Sequence, residues 1–192
     1  MILDPPGFFG KVPARGDFVA RRVPHPFSET WDAWLGLLTT SVRESAGADW
    51  PEVWLTAPLW HFALGYDLAP PTGAAGVLVA SADRVGRFFP FTIIGAARGI
   101  PDQAWCDSVE ELVLNALDDG FDPDRLDADL AHLGAPHPGD TLAPGQSLWR
   151  CRGSDRVEPT STLITGMPGR SAAAAMVLGT GQADPADTAD LV

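Results

Sequence analysis

Residues 7–19 read Gly-Phe-Phe-Gly-Lys-Val-Pro-Ala-Arg-Gly-Asp-Phe-Val, and the rest of the chain answers to them. The stretch holds the chain's only lysine, Lys11, beside Arg15 and Asp17, set between aromatic residues and glycines that let the backbone turn sharply. A plain core strand needs no such mixture. Residues 81–91, Ser-Ala-Asp-Arg-Val-Gly-Arg-Phe-Phe-Pro-Phe, repeat the recipe: a small turn, an Asp-Arg pair, a second Arg and a run of aromatics. The two stretches read as halves of one surface.

The organisation around them follows from periodicity. Residues 5–13 read as a short opening strand, Arg15-Gly16-Asp17 as a turn, and Phe18-Val19 as resumed extended chain. From Pro26 to Ala46, Phe27, Trp31, Trp34, Leu35, Leu38 and Val42 form one helical stripe, so both tryptophans belong to a core rather than to a ligand-stacking pair. Residues 50–64 predict a short helix, a break at Thr56-Ala57-Pro58, and then either a strand or a helix carrying Trp60 and Phe62. Residues 75–80 and 89–96 predict two buried strands. The connector at residues 81–87 is too short for a crossover helix, which implies an antiparallel pair. Helices are expected after Pro101 and from Pro123 to Leu133, and strands at 147–152, 161–165 and 173–178. Strands and helices mix without strict alternation, the pattern of a three-layer α/β or α+β domain around one mixed sheet.

A chain of 192 residues is most simply one domain, and its two cysteines, Cys106 and Cys151, stand in no zinc-ligand spacing. The expected division is a domain over residues 1–180 and a small, polar tail over 181–192. No apolar run reaches the length of a membrane span and residues 1–20 lack a secretory pattern, so a cytoplasmic protein without membrane insertion is expected. The net charge of −12 is uneven. Residues 1–98 hold eight basic and nine acidic residues, net −1, whereas residues 99–192 hold five and sixteen, net −11. Nucleic acid is therefore not an expected partner. The acids from Asp118 to Asp129 read either as a solvated helix face or as a surface for a basic partner.

No nucleophile elbow, HExxH, P-loop or dinucleotide fingerprint occurs, and His25, His61, His132 and His137 have no carboxylates at metal-ligand spacing. No catalytic residue, metal or cofactor is expected. The chemistry on offer is a polar cluster of Lys11, Arg15, Asp17, Asp83, Arg84 and Arg87. Arginines on short glycine-flanked turns suit bidentate recognition of carboxylate or phosphate. The same charges also suit a second role, in which Asp17 and Asp83 pair with Arg15, Arg84 or Arg87 to close one end of the sheet.

These residues resemble a known family. Gly10-Lys11-Val12-Pro13, Arg15-Gly16-Asp17-Phe18-Val19 with Arg21, the Trp31/Trp34 helix, Leu55-Thr56-Ala57-Pro58-Leu59-Trp60 with Phe62, and residues 81–90 together are similar to the TagF proteins, also called ImpM or SciT-like, of bacterial type VI secretion. The resemblance covers about the first hundred residues. It implies an α/β fold, a three-layer α/β/α sandwich around one mixed, largely antiparallel sheet. It also implies a cytoplasmic, non-enzymatic protein that represses type VI secretion after translation by binding and sequestering a forkhead-associated-domain (FHA-domain) scaffold component. Two other readings stand beside it: a hydrolase or phosphatase-like enzyme using the Asp/Arg cluster, and a structural subunit of the apparatus.

Overall fold

The computed structural model describes residues 4–137 and 139–179; the predicted tail at 181–192 lies outside them. Seven strands form one sheet: β1 (Gly7–Gly10), β2 (Val19–Arg21), β3 (Trp60–Leu64), β4 (Ala74–Val79), β5 (Phe91–Ala96), β6 (Gln146–Cys151) and β7 (Thr160–Thr165). Their order across the sheet is β2-β1-β5-β4-β3-β6-β7. Every neighbouring pair is antiparallel, so the sheet expected to be largely antiparallel is wholly so. It consists of three local units laid edge to edge: the β1-β2 hairpin, the β3-β4-β5 meander and the β6-β7 hairpin.

The helices fill the connections between these units. α1 (His25–Ala46) and α2 (Trp50–Leu55) lead from the first unit to the second, and α3 (Gln103–Asn115) and α4 (Pro123–Leu133) from the second to the third. A final helix, α5 (Arg170–Leu178), follows β7. Because successive strand residues point to opposite faces, each strand feeds two cores. Trp60, Phe62 and Leu64 of β3, Leu78 of β4, Ile94 of β5 and Trp149 of β6 pack with α1, α2 and α5. Ala63, Val77, Ile93 and Leu148, the alternate positions, pack with α3 and α4. The result is the expected α/β fold in three layers.

The predicted helix at Pro26–Ala46 is present, starting one residue earlier. Trp31 and Trp34 are buried, and the Trp31 ring lies 5.1 Å from that of Trp34 and 4.8 Å from Phe62. Trp60 and Phe62 sit on a strand, which settles the alternative left open by their pattern. One prediction fails. Residues 173–178, expected as a strand, belong to α5. A short apolar run does not distinguish a buried strand from a buried helix, and four successive alanines at 172–175 tip it to helix. Their small side chains let α5 settle close to α1, and the Met176 carbonyl accepts a hydrogen bond from Trp60 Nε1 at 3.0 Å.

Part of the acidic density in the second part of the chain serves the fold. Arg21 and Arg22, at the end of β2, pair with Asp124 (3.0 Å) and with Asp127 of α4. Arg22 takes a left-handed φ of 53°, and its Nε donates to the Pro6 carbonyl at 3.0 Å, so the chain leaving β2 is pinned as it turns toward α1. Asp118, Asp119 and Asp122 remain on the surface.

The tryptophan seam supports the α1 layer, so Trp31→Ala is expected to cost roughly 3–5 kcal/mol of stability, read as a lowered urea midpoint with an unchanged slope.

Candidate functional site

The two stretches singled out by sequence meet at one end of the sheet. β1 pairs with β5 in a register that sets Gly10 opposite Phe91, so the segment leaving β1 runs beside the segment entering β5. Gly10 permits this approach: its φ is 134°, and a Cβ there would lie 2.1 Å from the Pro90 carbonyl oxygen. The Lys11 N–H donates to that carbonyl at 3.3 Å. The connector between β4 and β5 folds back on itself, with Ala82 bridged to Phe88.

Asp83 organises this end. Its side chain has no exposed surface, and its two oxygens are fully engaged. Oδ1 accepts the backbone N–H groups of Val85 (3.0 Å) and Arg87 (2.9 Å). Oδ2 accepts Lys11 Nζ (2.9 Å) and Arg87 Nε (2.7 Å). Gly86, at φ 82°, supplies the left-handed step that returns the Arg87 N–H to the carboxylate. Burial alone raises the Asp83 pKa. The Arg87 backbone N–H, the Lys11 and Arg87 side chains and the Val85 N–H outweigh it, and hold the carboxyl well below the usual carboxylate range. A carboxylate so saturated has no lone pair left for proton transfer or attack.

Lys11 is itself buried, with its Nζ 5.1 Å from the centre of the Phe18 ring. Phe18 in turn stacks on Phe9 at 5.7 Å and meets Phe89 edge-on at 4.9 Å. Behind the connector, the Ser81 carbonyl accepts Trp54 Nε1 at 2.8 Å and so ties the end to α2.

The six predicted residues therefore divide into two groups. Lys11, Asp83 and the Nε edge of Arg87 make the interior network. Arg15, Asp17 and Arg84 lie on the surface around it. Asp17 does not pair with an arginine; its Oδ1 accepts the Phe18 N–H at 2.8 Å and shapes the turn. The Arg84 N–H donates to the Arg15 carbonyl at 2.8 Å, and Arg87 Nη2 to the Gly16 carbonyl at 2.5 Å, so one backbone bond and one guanidinium bond stitch the two turns together.

The histidines are dispersed. His61 on β3 bonds Glu110 on α3 at 2.8 Å, while His25 and His137 are exposed beside Glu29 and Asp102. Among the described residues no three metal-ligating side chains converge. The two cysteines are buried and unpaired, and burial pushes the Cys106 thiol up to about 11. Sequence reasoning missed an apolar groove of about 530 Å³ between β7 and α5, lined by Trp60, Trp149, Ile164 and Met176 and edged by Arg156. Reading residues 173–178 as a strand removed one of its walls; Trp149 was its one visible signal.

The family described as the TagF N-terminal domain, type VI secretion system-associated, matches residues 7–133. Among solved structures, the crystal structure of PA0076 from Pseudomonas aeruginosa PAO1 is similar, at 31% identity and a TM-score of 0.82, over 94% of this chain and 97% of that one. No curated protein matches the chain.

Asp83→Asn leaves the Lys11 ammonium and Arg87 Nε facing an amide in place of a carboxylate, and is expected to cost roughly 3 kcal/mol. Because the folded pKa of Asp83 lies below its unfolded value, its contribution is complete above about pH 4 and is lost as the pH falls below that. Urea unfolding from neutral to acid pH is expected to show this acid-side loss in the native chain and a correspondingly flatter profile in Asp83→Asn.

Proposed function

The chain belongs to the type VI secretion-associated TagF family, and from that membership we propose that it is a non-enzymatic negative regulator of type VI secretion. It acts in the cytoplasm after translation, binding and sequestering an FHA-domain scaffold component so that the apparatus does not assemble. The match over residues 7–133 carries this reading, because it includes both stretches that build the Asp83 end of the sheet.

Two features support a binding role. Asp83 is committed to Lys11, Arg87 and two backbone N–H groups, which makes it a framework for the surrounding surface rather than a reacting group. That surface presents charged and apolar side chains together, with Phe18 and Val85 exposed among the arginines, the composition of a patch that a partner covers. No described helix is long and apolar enough to cross a membrane.

Deleting the gene is expected to raise release of the secretion tube protein into the medium, and overproduction to lower it. Affinity capture from the native bacterium with this chain as bait is expected to retain an FHA-domain protein. Unchanged secretion in both genetic backgrounds, or capture of sheath and baseplate proteins alone, would overturn the sequestration reading.

A further inference from the structure

On this acidic molecule most guanidinium groups are consumed internally. Arg21, Arg22, Arg125, Arg152, Arg156 and Arg170 each lie within ion-pair distance of an Asp or Glu. As at the exposed Arg43 and Arg98, no ionic partner among the described residues meets the side chains of Arg15 and Arg84, which are both exposed. Their backbones are hydrogen-bonded to one another, so the two cations are anchored at neighbouring points. Arg84 Nη2 lies 3.6 Å from where a Cβ at Gly16 would stand, and Arg87 Nη2 bonds the Gly16 carbonyl. Three arginines thus meet at the Arg15-Gly16-Asp17 turn. Residues 7–19 and 81–91 together carry four cations and two carboxylates, a local charge of +2 on a chain of −12. Val85 and Phe18, 67% and 44% exposed, add apolar surface to the same tip.

We propose that this tip docks an acidic segment of a partner protein, with carboxylates taken by Arg15 and Arg84 and an apolar side chain resting on Phe18 and Val85. The proposal rests on the reading of the chain as a binding protein and supplies the chemistry of what it binds. A guanidinium fork matches the two oxygens of a carboxylate, and its unspent donors cost no internal ion pair when a partner takes them. The scale of the charge selects a short segment. A long polyanion would run off the small cationic tip onto the acidic remainder of the molecule, whereas a few Asp or Glu residues meet only the local field. Lys11, Asp83 and Arg87 act as positioning residues, since their hydrogen bonds hold the two turns in register.

The test is a titration of the full-length chain with a synthetic peptide alternating Glu and Leu, followed by backbone amide shifts in NMR spectra. The expected result is shifts centred on Gly16, Arg84 and Val85, weakening with added salt and reduced about tenfold or more in affinity in an Arg15→Glu/Arg84→Glu variant. Both replaced side chains are exposed and unpaired, so the variant is expected to keep the native melting temperature. Absence of shifts at the tip, or the same affinity in the variant, overturns the proposal. So does binding of a phosphothreonine peptide where the Glu-Leu peptide fails, because the recognised group is then a phosphate. Capture of the FHA-domain protein separates this inference from the one before it. Peptide binding without that capture removes sequestration and leaves the acidic dock standing; equal capture by native chain and variant does the reverse.

Discussion

A carboxylate with no contact to water survives in the folded state only if something else solvates it, and in this protein the solvating groups come from both ends of a long stretch of chain. Asp83 draws on Lys11, 72 residues earlier, and on the turn that follows it. Removing water from such a group is costly, so the network tolerates no missing member. That requirement holds the β1-to-β2 turn against the β4-to-β5 connector, and the positions of Arg15, Arg84, Phe18 and Phe89 follow from it. The interaction is specific more than strong: a hydrophobic plug of similar volume closes a sheet end without fixing which arginines face outward.

The sheet itself depends on simpler physics. Three local antiparallel units require two long connections, and the two faces of the sheet require two covers. The connections become the covers: α1 and α2 on one face, α3 and α4 on the other. The middle strand β4 is consequently apolar at both alternations, with all six residues buried. The acidic excess of the second half is accommodated by the same logic, because α4 faces the cationic end of β2 and neutralises part of its charge there.

Legibility in the sequence tracked the length and periodicity of each signal. α1 was readable because its stripe runs through about four turns, and the β4-β5 pair because a short connector separates two buried runs. α5 was not, because its short apolar run at 172–178 satisfies both periods. The uniformly antiparallel pairing depends on which units lie side by side, a long-range property that no local pattern encodes. At the site, the residue types and the meeting of the two stretches were visible, while the division of labour was not. Asp17 and Asp83 sit in similar sequence contexts, yet one bonds its neighbour's N–H on the surface and the other anchors the interior. Burial made that difference, and burial emerges only when the sheet has closed.

The pairing of β1 with β5 also sets a timetable. Gly7 stands opposite Ile94 and Phe8 opposite Ile93, so β1, once it leaves the ribosome, waits for more than eighty further residues before its inner neighbour exists. β3 waits longer still for β6, since His61 faces Arg150. Contacts of such sequence separation pay their loop-closure entropy before they are rewarded, and they condense late. Lys11 stays without its carboxylate until the connector has been synthesised and β1 has docked. The arginine tip is therefore a property of the finished molecule, and a nascent or truncated chain presents its ingredients without the surface.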